Sequence, residues 1–307
     1  MNSLILQKQE EVIALAQFDI KDAVLKKCLL KEDETVITVP DGVMTIGKDA
    51  LCGLQSVIAV TLPESLKVIN DGAFYGCSSL TSVTLPGSVE RLGSCAFAQC
   101  STLNKIYLDN KLTEIGNSAF WGCTSLESID IPEGVTKIGY NLFGSCLSLI
   151  SVSLPDTVTE LDERAFKECT SLACITLPDS LTKIGNMAFL NCHNLKSVNI
   201  PDRLESIGEK AFFMCESLHE LEIPDGIASV GGDAFSDCVS VTVRSTISGK
   251  PLYKAVTATD GSSAYNFILR NIWDKGGFDF TAQDNYFPAL QDENLQYAIA
   301  FSRLMYR

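Results

Sequence analysis

Cysteine and histidine are the residues through which this sequence could carry nucleophilic or metal chemistry. The chain has two histidines, and His193 directly follows Cys192, a neighbourhood that would suit a nucleophile and its base. Cys192, however, occupies a position that recurs at a fixed interval in seven other places, none of which has a histidine beside it. We therefore interpret Cys192 as structural. His219 lies near two acidic residues and is interpreted as a solvated surface residue.

The twelve cysteines do not have the spacing of a metal site or of a disulfide framework. Eight of them follow one another at intervals of 23 residues: Cys77, Cys100, Cys123, Cys146, Cys169, Cys192, Cys215 and Cys238. There is no close Cys-x2-Cys pair, so no metal is predicted. Stacked parallel side chains rarely reach the disulfide dihedral angle, so free thiols are expected. Because no GxSxG, HExxH, P-loop or dinucleotide motif occurs either, we predict a chain without cofactor that is not an enzyme.

A 23-residue repeat must position these cysteines, and the prolines set its phase. Nine residues lie on one grid: Pro40, Pro63, Pro86, Asp109, Pro132, Pro155, Pro178, Pro201 and Pro224. With this residue counted as position 0 of a rung, positions 3 and 6 are aliphatic, while position 10 is Ala and position 11 is Phe in eight of nine rungs. Such units bury apolar residues only against their neighbours, which predicts a nine-rung solenoid.

Each rung has three recognisable parts. Residues 80–85 alternate apolar and polar side chains, which predicts a strand with one buried face, and stacked strands would form a parallel sheet. Position 7 is Gly in seven rungs and Asn70 or Asp162 in the others, which predicts a left-handed backbone there. Residues 71–77 predict a short helical turn whose Phe and Cys fill the core.

The ends depart from the repeat. Residues 1–35 carry apolar residues at helical spacing and predict an N-terminal cap of two short helices. Residues 36–246 hold the nine repeats. Residues 247–307 predict a C-terminal helical cap, with helices over 262–280 and 290–307. Caps are expected because the last rungs of a solenoid otherwise expose strand edges and core.

The run LTSVTLPGSVERLGSCAFAQCSTL, residues 80–103, resembles the BspA-like leucine-rich repeats of bacterial proteins, whose pattern is LxxLxLPxxLxxIGxxAFxxCxxL. The resemblance covers about residues 36–246. It implies a right-handed leucine-rich-repeat solenoid, and a role in binding or adhesion rather than catalysis. The expected fold is thus α/β, with a parallel β-sheet on one face, short helical turns elsewhere and helical caps at both ends.

Charge and composition limit the partners and the location. A net charge of −14 and a pI near 4.6 argue against nucleic acid and against anionic membranes. No apolar run approaches the roughly 18–20 residues that span a bilayer, so membrane insertion is not expected. The absence of a visible signal peptide, together with reduced cysteines, favours the cytoplasm. The family resemblance instead implies the cell surface or secretion, and both alternatives stay open.

The outward positions of the predicted strands form the candidate binding face. Positions 19 and 21 are mostly small and polar, and Tyr107 among them would suit an anchor for a protein partner. The predicted contact residues are Lys105, Tyr107, Ser128, Asp130, Ser151, Ser153, Asn199, Glu220 and Glu222. Small polar residues also simply suit a solvated sheet, and that interpretation stays equally open.

The sequence leaves one alternative function and one possible self-contact open. The alternative function is a cell-surface adhesin that binds host matrix or carbohydrate. At position 12, Trp121, Leu190 and Phe213 either pack between rungs, which we prefer, or support weak self-association.

Overall fold

A computed structural model of the chain describes residues 17–30, 34–224, 227–238, 242–245 and 251–254. Within these ranges the chain forms β-strands and turns without a helix, and successive repeats stack as the rungs of a parallel β-solenoid. Each rung contributes two short strands, so two columns of parallel strands run along the molecule. The predicted solenoid is confirmed, but the sequence had indicated only one of the two columns.

The first column contains the predicted strands. Its members are β3 (Val36–Thr38), β5 (Ala59–Thr61), β7 (Ser82–Thr84), β9 (Lys105–Tyr107), β11 (Ser128–Asp130), β13 (Ser151–Ser153), β15 (Cys174–Ile175), β17 (Ser197–Val198), β19 (Glu220–Ile223) and β21 (Thr242–Ser245). The register between most neighbours is one repeat, as in the pairs Ser82–Lys105 and Ser128–Ser151. Equivalent side chains of successive rungs therefore lie beside one another.

The second column follows positions 5 and 6 of each rung. Its members are β4 (Thr45–Ile46), β6 (Val68–Ile69), β8 (Arg91–Leu92), β10 (Glu114–Ile115), β12 (Lys137–Ile138), β14 (Glu160–Leu161), β16 (Lys183–Ile184), β18 (Ser206–Ile207) and β20 (Ser229–Val230). Two residues are too few to show an alternating pattern in the sequence, which explains why this column was not predicted.

The N-terminal cap is a hairpin, so the prediction of helices was wrong for residues 17–29. β1 (Gln17–Lys21) and β2 (Val24–Leu29) pair antiparallel, and β2 continues the second column by pairing parallel with β4. In β2, Leu25 and Cys28 are buried three residues apart, a spacing that imitates a helix. A helix could cover the core, but only a strand can satisfy the open backbone edge of the first rung.

At the other end, β22 (Pro251–Lys254) pairs antiparallel with β21, so the beginning of the predicted C-terminal helical cap contains a strand instead. The helices predicted over 262–280 and 290–307 lie outside the described residues.

A stack of phenylalanines fills the centre of the solenoid. The position-11 rings from Phe74 to Phe235 are stacked with centroids 4.8–6.0 Å apart and interplanar angles of 4–15°. The Ala at position 10 is likewise buried in every rung that has one. The stack removes apolar surface from water and adds favourable contacts between rings. It therefore favours the same flat side chain at position 11 of each rung from Phe74 onward.

The predicted helical turn is a series of hydrogen-bonded β-turns. In one rung, Ala73 N donates to Asn70 O and Tyr75 N donates to Gly72 O, at 3.2 and 2.9 Å. The N–H groups between them donate to the next rung, as Phe74 N does to Ala96 O at 2.8 Å. A helix would use every N–H within its own segment. The prediction of helical turns was therefore wrong, because half of these donors join rungs.

Left-handed backbone occurs at positions 9 and 13, so its prediction at position 7 was wrong. In the described rungs these two positions have φ between 53° and 72°, mostly at residues other than glycine. The position-7 glycines have no positive φ. They are needed because a Cβ there would meet the preceding rung, for example 2.3 Å from Ser94 N at Gly116 and 2.6 Å from Asp162 C at Gly185.

The adjacent residues Gly231 and Gly232 test this explanation. A Cβ at Gly231 would lie 2.3 Å from Glu209 N, whereas one at Gly232 would have no atom within 4 Å. We expect Gly231→Ala to lower the free energy of unfolding by about 1–3 kcal/mol, and Gly232→Ala to change it by less than about 1 kcal/mol. Urea unfolding of both variants measures this, and an equal loss in the two would contradict the explanation.

Candidate functional site

The outward side chains of the first column form one continuous surface, called here the strand face. In β7, β9, β11 and β13 the middle residue is buried and both flanking residues are exposed. The structure thus places seven predicted residues on this face, all exposed: Lys105, Tyr107, Ser128, Asp130, Ser151, Ser153 and Asn199. The other two, Glu220 and Glu222, lie in β19 and are paired in register with β21, but their side chains lie outside the described part.

Tyr107 is the one aromatic side chain among the described outward residues of this face. Its side chain is 51% exposed, and Lys105 Nζ lies 4.8 Å from the ring centroid. The proximity of the Tyr107 side chain raises the pKa of Lys105. Because the two residues point outward from the same strand, the ammonium lies over a ring that is otherwise open to solvent.

Asn199 has a structural role that the sequence did not reveal. Its Nδ2 donates to Leu177 O at 2.8 Å, and Leu177 N donates to its Oδ1 at 2.7 Å. The side-chain amide thus extends the ladder at a point where β15 and β17 are only two residues long. The neighbouring rung thus already binds both the oxygen and the nitrogen of the amide, so Asn199 has little hydrogen-bonding capacity left for a partner protein.

The aromatic and aliphatic residues at position 12 lie in the turn segment, away from the strands. Trp121, Leu190 and Phe213 are each half-buried, which fits packing between rungs better than a broad apolar patch. Self-association through them stays a prediction.

A row of carboxylates next to the strand face was missed. Glu133, Asp156, Asp179 and Asp202 directly follow the prolines of four consecutive rungs, and all four are exposed. Among the described residues none of them has an ion-pair partner within 4.0 Å. We call these four residues the acidic rim. A repeated Pro-Asp or Pro-Glu pair was the signal that could have identified them.

The charges of the second column, in contrast, are paired between rungs. Lys67 Nζ lies 3.1 Å from Glu90 Oε1, and Arg91 Nε lies 3.2 Å from Glu114 Oε1. Lys137 Nζ contacts Asp162 at 2.9 Å, and this hydrogen bond raises the pKa of Lys137. Several charges along the second column are thus paired between rungs, whereas the carboxylates of the acidic rim have no ion pair among the described residues.

The eight cysteines at position 14 use their thiols to hold neighbouring rungs together. Each position-14 Sγ donates to the position-11 carbonyl of the preceding rung at 3.1–3.2 Å, as Cys192 does to Phe166 O. Burial raises the pKa of Cys192 to about 12. His193 Nδ1 instead lies 3.5 Å from Glu216 Oε1. A buried, protonated thiol that donates to a carbonyl is not arranged to act as a nucleophile.

No three His, Cys, Asp or Glu side chains are grouped to hold a metal ion in the described ranges. The described residues likewise contain no helix that is long and apolar enough to cross a bilayer.

The comparisons with known proteins agree with this geometry. A family model described as "BspA type Leucine rich repeat region (6 copies)" matches residues 19–150 and 137–250. The chain belongs to the BspA-type leucine-rich-repeat family. Repeats of this family typically mediate protein binding or adhesion, and the fold is typical of binding modules rather than of enzymes.

Solved structures of bacterial leucine-rich-repeat proteins share the fold of this chain. A leucine-rich cell surface protein from Faecalibacterium prausnitzii is 30% identical, with a TM-score of 0.60, over 75% of this chain and 74% of its own. A leucine-rich-repeat protein from Bacteroides ovatus is 24% identical, with a TM-score of 0.66, over 77% of this chain and 71% of its own. No curated protein matches the sequence.

Thiol accessibility gives a direct prediction for the native protein. Cys52 and Cys174 are exposed and Cys95 is half-buried, while the other nine cysteines are buried. We expect iodoacetamide to modify Cys52 and Cys174 first, Cys95 more slowly and the buried thiols only after denaturation. Peptide mass spectrometry over a time course measures this order. Early modification of Cys146 or Cys169 would show that the rungs open in the native state.

The buried thiols also make stability depend on pH. Burial raises the pKa of Cys123, Cys192 and Cys238 to about 12. An unfolded cysteine has a pKa near 8.5, so these thiols contribute fully below about pH 8.5, and the contribution is lost as pH rises towards 12. We expect the free energy of unfolding to fall by about 1.4 kcal/mol per pH unit per thiol above about pH 9.

Urea unfolding between pH 7.5 and 10 measures the slope, with Cys192→Ala as the comparison. Losing one thiol should make the slope shallower by about one thiol's share, even though the variant is less stable throughout. An unchanged slope would mean that this thiol ionises equally easily in both states.

Proposed function

We propose that the chain binds a protein partner through its strand face, with Tyr107 as the anchor. The proposed contact set is Lys105, Tyr107, Ser128, Asp130, Ser151 and Ser153, with Glu220 and Glu222 further along the same column. The observation that carries the proposal is the half-exposed Tyr107 ring, with Lys105 Nζ lying over it, on a face whose neighbouring side chains are mostly small. Rigid aromatic side chains of this kind dominate many protein interfaces.

The shape of the face supports a protein partner. Ser128, Ser151 and Ser153 project little, so the face is low in relief and its hydroxyls stay accessible. Regular strands fix these positions before binding, which reduces the ordering cost of association. β9 to β17 cover only roughly 240 Å², against about 800 Å² per partner in a standard interface. A partner on this face would therefore also contact the residues that border the strands.

The alternative is an adhesin that binds host matrix or carbohydrate. It draws on the Faecalibacterium prausnitzii relative, which is described as a cell surface protein. Sugar rings usually stack on exposed aromatic side chains, and Tyr107 is the one aromatic residue among the described outward positions of the strands. A single aromatic residue suits a protein anchor better than a series of sugar subsites. A surface or secreted location belongs to this alternative.

Substitution of the anchor tests the proposed function. Partners captured from extracts of the source organism and its host would be purified, and their Kd would be measured against the native chain and Tyr107→Ala. We expect Tyr107→Ala to weaken binding by about 30-fold or more, the loss typical of an interface anchor.

Tyr75→Ala is the matched control, since Tyr75 is also exposed but lies in the turn segment. It should leave the Kd within about twofold. An equal effect of the two substitutions, or none from Tyr107→Ala, would contradict binding through this face. Binding to immobilised oligosaccharides, lost in Tyr107→Ala, would support the adhesin instead.

A further inference from the structure

The strand face is bordered by two chemically different edges. At the end where the chain enters β13, Leu147 and Ile150 are 42% and 56% exposed. We call this pair the apolar rim. At the end where the chain leaves the strands, the acidic rim follows the prolines. Between the two rims the described side chains are mainly those of Ser128, Ser151, Ser153 and Ser197 with exposed Cys174.

The pairing of Leu147 with Ile150 is specific to one rung, although Ile58, which is equivalent to Ile150 in the first rung, is also exposed. The positions equivalent to Leu147 are Thr124 and Thr170 in the adjacent rungs, and those equivalent to Ile150 are Glu127 and Ala173. The repeat does not need an apolar residue at either position, because neither is part of the core. Two large aliphatic side chains that remain in water are therefore a local departure from the repeat, next to the centre of the strand face.

The acidic rim extends along four rungs. Phenylalanine centroids of the three corresponding rung pairs are 5.3, 5.3 and 5.0 Å apart, so the four carboxylates span about 16 Å. A stack of like charges at this spacing repels itself, and a cationic partner relieves the repulsion. Several acidic residues along the second column lie within 4.0 Å of a lysine or arginine, whereas no described cation lies that close to the four carboxylates of the acidic rim.

We infer that the strand face between these rims binds an extended, basic segment of a partner protein. Its lysine or arginine side chains lie over the acidic rim, and an apolar side chain lies against Leu147 and Ile150. A strand-like segment of about five residues spans 16 Å and directs alternate side chains to the same side. This inference rests on the proposed function and specifies the partner's chemistry; the net charge of −14 favours encounter with such a partner.

A defined peptide tests the inference directly. The probe is a fluorescein-labelled ten-residue peptide in which lysine alternates with leucine or serine, and its Kd is measured by fluorescence anisotropy. A second peptide replaces the leucines with serine, and a third replaces the lysines with glutamate. We expect the lysine–leucine peptide to bind at least about tenfold more tightly than either, with an affinity that falls as salt increases.

Charge reversal locates the site. Asp156→Lys combined with Asp179→Lys should weaken binding of the lysine–leucine peptide at least about tenfold, and Ile150→Ser at least about threefold. The matched control is Asp41→Lys combined with Glu64→Lys. These residues are exposed, follow prolines in the same column and change the net charge equally, but they lie several rungs from the apolar rim. The control should leave the Kd within about twofold.

Three results would overturn the inference: equal weakening by the two double variants, equal binding of the leucine and serine peptides, or no binding of the lysine–leucine peptide. Binding of the partner protein that was purified to test the proposed function distinguishes a failure of this inference from a failure of the proposed function. If that partner is lost in Tyr107→Ala but unaffected by Asp156→Lys with Asp179→Lys, the proposed function stands and the basic segment is wrong. The reverse result removes the Tyr107 anchor and keeps the site between the rims.

Discussion

Backbone hydrogen bonds between rungs are the constraint on which the rest of this structure depends. Each rung must present donors and acceptors in the same register as its neighbours, because an unpaired buried backbone group costs as much as a lost hydrogen bond. The turn segment meets this requirement by giving alternate N–H groups to the next rung, as Phe74 N and Gly76 N do. A nearly constant repeat length follows, since a change of length within a rung would offset its donors from the acceptors of the next rung.

The same constraint explains residues that look unrelated in the sequence. Glycine at position 7 allows two backbones to approach, and the thiol at position 14 gives the position-11 carbonyl of the preceding rung a second donor. Arg164 and Met187 adopt positive φ, which ordinary side chains avoid, because hydrogen bonds to the next rung hold the turn on that side. The hydrogen bonds between rungs thus determine the residue size at position 7, the side-chain donor at position 14 and the backbone conformation at position 9.

The repeat was readable from the sequence because it depends on side-chain type at fixed spacing, and the first strand column followed from its alternation. The turns were harder, since helix and β-turn series place Ala73, Phe74 and Cys77 inward alike and differ only in where the N–H groups donate. On the candidate site, alternation correctly placed Tyr107 outward. Alternation could not show that Lys105 covers the ring, because that contact depends on side-chain rotamers. It could not show the hydrogen bonds between Asn199 and Leu177 either, because they join two different rungs.

Outward positions are the part of each rung that the ladder leaves free. At positions 1, 15, 18, 19 and 21 the core needs no large apolar or charged side chain, although polar residues such as Thr124 and Asn199 donate there to the preceding rung. The departures from small polar residues, namely the Lys105–Tyr107 pair, Leu147 with Ile150, and the acidic rim, therefore need a reason other than stability. Their position around one stretch of strands, on a scaffold held rigid by its core, is the arrangement expected of a preorganised binding surface.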